Sequence, residues 1–211
     1  MIFSDRHEAG IELGKKLAKY GGKKGVIVLA IPRGGLEVGF EIAKALNVPL
    51  DIAVTKKIPY PGDPEFAIGS ASIDDFIIEI GYEAAAGKEY LKEQVSELQK
   101  RIKEVYEKYR KGMKSLSLKG KTVILCDDGL ATGHTVLAAV RLLKNQGVKK
   151  IVVAVPVAPQ ATIDRISSDA EVVCLYVPDY FIAIGEFYRL FPQLSDEDAM
   201  RYLREANKRG V

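Results

Sequence analysis

Asp127 and Asp128 stand side by side at the end of an apolar run. Gly129, Ala131, Thr132, Gly133, His134 and Thr135 follow in the stretch "DDGLATGHT". Paired carboxylates accept hydrogen bonds from sugar hydroxyls or reach a hydrated Mg²⁺. The two glycines let the backbone turn tightly and aim successive N–H groups inward, and the threonine hydroxyls donate to the same anion. A helix beginning near Thr132 adds the positive end of its dipole. A ligand that wants both signs at once is a sugar phosphate, with the phosphate in the turn and the hydroxyls at the carboxylates. The competing reading is an ordinary strand-to-helix turn capped by Thr132. Two acids, two glycines and two threonines within nine residues favour the ligand. No lysine follows the second glycine as a Walker loop requires, and the glycine spacing is not that of a dinucleotide fingerprint.

Three other stretches carry chemistry. "PRGG" follows an apolar run and offers the Arg33 guanidinium with the N–H groups of Gly34 and Gly35. Lys56 and Lys57 close a second apolar run, and the period-two geometry of a strand sends them to opposite faces, so one of the pair reaches the rim. The following "IPYPGDPEFAIG" holds three prolines and two glycines and reads as a loop able to close as a lid that excludes water.

Positioning these residues requires a sheet. "VIVLAI", "LDIAVTK", "TVILCD", "KIVVAVPV" and "EVVCLYV" read as strands, and "FAIGSASI" with "FIIEI" as a hairpin or two edge strands. Helical spacing covers Leu36 to Leu46, Thr132 to Asn145 and Pro159 to Ser167. Strands alternating with helices predict an α/β fold with a mostly parallel twisted sheet flanked by helices. The carboxyl ends of its strands gather the three motifs along one rim. A long charged helix between Tyr82 and Arg110 interrupts the alternation. Leu91, Val95, Leu98, Ile102, Val105 and Tyr109 form one apolar seam on it. That seam packs on its own domain in the first reading and on a second subunit in the other.

The 211 residues suit a single domain, residues 1–211, with a long helical insertion at about 82–112 and a small C-terminal hood at about 178–211. Apolar residues make up 47% and charged residues 28%, which is globular rather than disordered composition. A net charge of +3 is too even to announce a nucleic-acid surface. No apolar run is long enough to span a membrane, and the first residues lack a signal peptide's pattern. Cys126 and Cys174 sit in apolar runs without metal-ligand spacing and read as buried reduced thiols, which points to the cytoplasm.

"VILCDDGLATGHT" resembles the phosphoribosyl pyrophosphate (PRPP) loop of type I phosphoribosyltransferases. The order of elements from Val26 to Arg189 follows that family, and "PRGG", "KK…P…PE.A.G" and "VPVAP" resemble an uncharacterised group within it. The resemblance implies that Asp127 and Asp128 hold the ribose hydroxyls and stand near Mg²⁺, through water or those hydroxyls. It implies that Ala131 to Thr135 hold the 5-phosphate, and that Arg33, Gly34, Gly35 and Lys56 or Lys57 receive the leaving diphosphate. In the aromatic tail "PDYFIAIGEFYRLFPQ", similar to a purine-salvage hood, Tyr180 or Phe181 would face the base. A homodimer is the family habit.

Two departures bear on the acceptor. The 6-oxopurine enzymes keep an acid where this chain has Ala131, whereas adenine-type members share "ATG" but carry their hood elsewhere. His134 replaces a small residue or lysine. The expectation is therefore a Mg²⁺-dependent transferase of phosphoribose from PRPP to a purine or related nitrogen heterocycle, in nucleotide salvage. A PRPP- or nucleotide-sensing regulator on the same fold is the alternative. A sugar-phosphate isomerase or phosphatase ranks third, for want of the aspartyl-nucleophile spacing.

Overall fold

The five-residue run Val26–Ala30 (β1) is buried along its whole length because it lies inside a sheet covered on both faces, which removes the usual polar alternation. A computed structural model describes residues 2–113 and 116–208. In it β1 pairs in parallel with Leu50–Ile52 (β2) on one side and Thr122–Cys126 (β6) on the other. Lys150–Val157 (β7) and Glu171–Tyr176 (β8) continue the parallel sheet in the order β2-β1-β6-β7-β8. The expected α/β fold is thus present.

Alternating side chains divide the core in two. Val28, Ala30, Ile124, Cys126, Val152 and Ala154 pack under Arg6–Lys16 (α1), Gly34–Leu46 (α2) and Asp196–Lys208 (α7). Ile27, Leu29, Val123, Leu125, Val153 and Val155 pack on the other face under His134–Asn145 (α5) and Gln160–Ser167 (α6). Helix α2 ends where Asn47 adopts a left-handed φ of 53°, a conformation that asparagine tolerates.

The second strand is shorter than its apolar pattern predicts. β2 ends at Ile52, and Tyr106 draws the chain away: its hydroxyl donates to the Ile52 carbonyl at 3.1 Å and accepts from the Val54 amide at 3.4 Å. Lys56 and Lys57 therefore open Lys56–Tyr60 (β3) rather than closing β2. The proline-rich stretch expected as a loop is instead a hairpin. β3 pairs antiparallel with Asp63–Ala71 (β4) around a turn at Gly62, and the register shifts at Pro59, where a ladder donor is missing. β4 pairs in turn with Phe76–Ile78 (β5), which selects the hairpin over two edge strands.

Gly87, with φ at 82°, breaks the long helix into Tyr82–Ala86 (α3) and Lys88–Arg110 (α4). Leu91, Val95, Ile102 and Tyr109 are buried, with Leu98 and Val105 partly so, and all join the core of their own chain. The seam packs inside its own domain, as in the first reading. Fully burying one aliphatic residue such as Ile102 contributes about 2–3 kcal/mol. Cys126 is buried and Cys174 half-buried, both as free thiols.

Candidate functional site

Strands β1 and β6 run in register, with Ala30 opposite Cys126, so the residues that follow each strand leave the sheet side by side. The glycines of "PRGG" meet the acids of "DDG" there. A Cβ on Gly34 would lie 1.8 Å from Asp128 Oδ2, and one on Gly35 would lie 2.9 Å from the Cys126 carbonyl and 3.2 Å from Asp127 Oδ1. Only glycine permits that approach. The Pro32–Arg33 peptide is cis.

The carboxylates are held in different ways. Asp127 Oδ1 accepts the Asp128 amide at 2.9 Å. Desolvation, and then the negative charge of Asp128, raise the Asp127 pKa well above the ordinary carboxylate value. Asp128, whose side chain is 13% exposed, pairs through Oδ2 with Arg6 Nε at 2.7 Å. Arg6 is only 5% exposed, donates to the Pro192 carbonyl at 2.8 Å and lies 3.8 Å from the Phe191 ring centroid. Tyr188 donates its hydroxyl to the Asp128 carbonyl at 2.6 Å, and burial raises its own pKa. A side-chain hydrogen bond between the two carboxyls adds to the rise at Asp127.

Arg6 is a site residue that the sequence reading missed. Its helix, which the sequence reading also left out, carries a start signal in Ser4 and Asp5, four and three residues before Glu8. The Asp5 side chain accepts the Glu8 amide at 2.8 Å and Glu8 accepts the Ser4 amide in return. No local signal told that the arginine would reach an acid beyond β6.

The turn from Ala131 to Thr135 is built against α6. Thr162 donates to the Ala131 carbonyl at 2.6 Å, and Gly133 adopts a φ of 71° where a Cβ would lie 2.6 Å from Thr162 Cγ2. Ala131, Thr132, His134 and Thr135 are exposed. The first amides of α5 lack intrahelical partners, so the turn presents donors to solvent. Arg165 Nη1 lies 3.2 Å from His134 Nε2 and 3.4 Å from the Thr132 carbonyl, a cation at the turn that the sequence reading also missed.

The remaining candidates are dispersed. Lys57 shares a cavity of about 720 Å³ with His134, Thr135 and Arg141, between the small sheet and α5. Lys56 turns the other way, into a hollow with Arg101 and Lys108 of α4. Arg33 is 39% exposed and faces Asp196 of α7 at 3.9 Å. Its guanidinium is thus engaged by an acid of the chain itself. Tyr180 is 90% exposed, and Phe181 stacks on Phe187 with centroids 5.5 Å apart. The tail residues that touch the acid loop are Tyr188 and Ile184, the latter 2.6 Å from where a Gly129 Cβ would stand. Among the described residues no cluster of three or more His, Cys, Asp or Glu is placed to hold a metal ion. No described helix is long and apolar enough to cross a membrane.

Comparisons with known proteins agree with this layout. Two Mycobacterium tuberculosis proteins carrying the provisional name phosphoribosyl transferase, Rv0571c of strain H37Rv and MT0597 of strain CDC 1551, are each 39% identical over 98% of this chain and 47% of their own length. The chain thus spans about half of those relatives. TT1426 from Thermus thermophilus superposes with a TM-score of 0.86 at 36% identity, over 97% of this chain and 99% of that one. AQ2163 from Aquifex aeolicus, at 16% identity and a TM-score of 0.50 over 82% of this chain and 73% of that one, shares the fold alone. The description "Phosphoribosyl transferase domain" fits residues 5–190, from the arginine helix through both glycine-and-acid loops to the tail, and the chain belongs to that family.

Proposed function

We propose that this chain transfers phosphoribose from PRPP to a nitrogen heterocycle, a purine or a related base, with release of diphosphate. The observation that carries the reading is the meeting of two loops at neighbouring strand ends. Gly34 and Gly35 back directly onto Asp128 and Asp127, beside an exposed turn rich in donors. A ribose between these parts meets the Asp127 and Asp128 carboxylates, its 5-phosphate meets Thr132, Thr135 and the α5 amides, and its diphosphate meets the side of Arg33.

The residues fit Mg²⁺ as a companion of the substrate's diphosphate and not as a caged ion. Two carboxylates, one of them paired with Arg6, supply too few ligands for a protein-only site. Bound there, the ion would neutralise charge on the departing diphosphate. The chain's own residues fix the sugar, through a carboxylate pinned between Gly34 and Arg6, and present cations to the leaving group. No covalent nucleophile is needed. Exclusion of water falls to the β3–β4 hairpin, whose Lys57 and Phe66 face the start of α5 across the cavity.

The test is a panel of bases incubated with PRPP and Mg²⁺ and assayed for diphosphate. Release with one or more purines is expected. PRPP binding without release from any base would favour a sensing protein. No binding of PRPP sinks both. A homodimer in the cytoplasm, in nucleotide salvage, belongs to the same proposal and is checked by light scattering and cell fractionation.

A further inference from the structure

Asp196, the first residue of α7, draws together donors from distant parts of the chain. Tyr109 donates its hydroxyl to Asp196 Oδ1 at 2.6 Å, Lys108 Nζ lies 2.5 Å from Oδ2, and Arg33 Nη1 lies 3.9 Å from Oδ1. Lys108 and Tyr109 come from the inserted helix α4, and Arg33 from the loop after β1. Lys56 lines the same hollow as Lys108. Two full cations and a phenol on one carboxylate form a donor set that suits a phosphate oxygen equally well.

We propose that Arg33, Lys108 and Tyr109 form a binding site for a diphosphate group, and that Asp196 occupies it as an intramolecular stand-in until the ligand arrives. The inference rests on the reading of Arg33 as a diphosphate contact and adds two residues from the insertion to it. Two features let Asp196 give way. Gln193 and Ser195 ahead of it are exposed, with only Leu194 between them half-buried. The helix start is capped independently: Ser195 Oγ donates to Asp198 Oδ2 at 2.7 Å and accepts the Asp198 amide at 3.1 Å. Losing the Asp196 carboxylate therefore leaves the cap in place. Because the acid competes with the ligand for the same donors, its removal strengthens binding, whereas a contact that merely staples α7 to α4 predicts no gain.

Calorimetric titration with inorganic diphosphate and Mg²⁺, at fixed ionic strength, separates these cases. Asp196→Asn should tighten diphosphate about tenfold, the scale of an ordinary coupling between two ligands of one site. Glu197→Gln removes the same charge from the neighbouring exposed position and should change affinity by less than about twofold, because exposed charges are screened. Adding Lys108→Gln to Asp196→Asn should cancel the gain. Unchanged affinity in Asp196→Asn, or equal tightening by both neutralisations, overturns the site. PRPP titrated into the wild-type protein in parallel keeps the two readings apart. PRPP binding with no Asp196 effect removes only this proposal. A tenfold Asp196 effect without PRPP binding removes the transferase and leaves the anion site standing.

Discussion

The two halves of the acid–glycine loop are built on opposite terms. At Asp127 and Asp128 the protein supplies its own partners: Gly34 presses on one carboxylate, Arg6 neutralises it, and Tyr188 holds the backbone behind it. Further along the loop, Thr132 and Thr135 face solvent, their turn fixed from below by Thr162 and Gly133 while its donors stay open. In the proposed reading the sugar end is ordered before any ligand comes, and the phosphate end waits for one. The difference follows from solvation. An exposed amide or hydroxyl is satisfied by water until displaced, whereas a desolvated carboxylate without a partner would be costly.

Breaking the ordered end should have the largest effect. Arg6→Ala leaves Asp128 without its cation in a mostly buried place and should cost about 3–5 kcal/mol, read from denaturant unfolding. If the loss is under about 1 kcal/mol, the pair is not what orders this end. Gly34→Ala comes next. Its Cβ overlaps Asp128 Oδ2, which Arg6 prevents from swinging aside, so about 1–3 kcal/mol of stability and most sugar-phosphate affinity should go together. Retained affinity would show that the carboxylate position does not matter.

Asp127→Asn should act in the opposite direction. The native pKa lies above the ordinary value of 3.8, so the folded protein holds the proton more tightly and loses stability as pH rises through the carboxylate range. The asparagine still accepts the Asp128 amide but carries no charge. Its melting temperature should match the wild type in acid and exceed it increasingly toward neutral pH. An advantage that shrinks with rising pH would contradict the burial of this acid. The smallest effect belongs to the tail. Tyr180→Ala should leave stability within about 0.5 kcal/mol, since its ring touches solvent. Phe181→Ala, which unstacks Phe187, should cost about 1–2 kcal/mol. A larger loss for Tyr180 would mean that the ring is packed in solution.

The parallel sheet, the helices between its strands and the acid–glycine turn were legible in the sequence because each is a local pattern. Continuous apolar runs mark strands buried on both faces, 3.6-residue spacing marks α2 and α5, and a turn needing positive φ has to carry glycine, as at Gly133. The resemblance of that turn to a known loop added the family. Three prolines and two glycines looked like a loop, yet the antiparallel pairing of β3 with β4 overrode them. What sequence alone could not supply was every partner brought from afar. Arg6 meets Asp128 across 122 positions, Asp196 meets Tyr109 across 87, and Tyr106 cuts short a strand 54 positions away. Periodicity reports which face of an element is buried, but a charged side chain finds its partner only when the sheet order and helix packing place both at one edge. Local chemistry decided what the rim is made of, and the packing of α1, α4 and α7 decided which of its charges remain for a ligand.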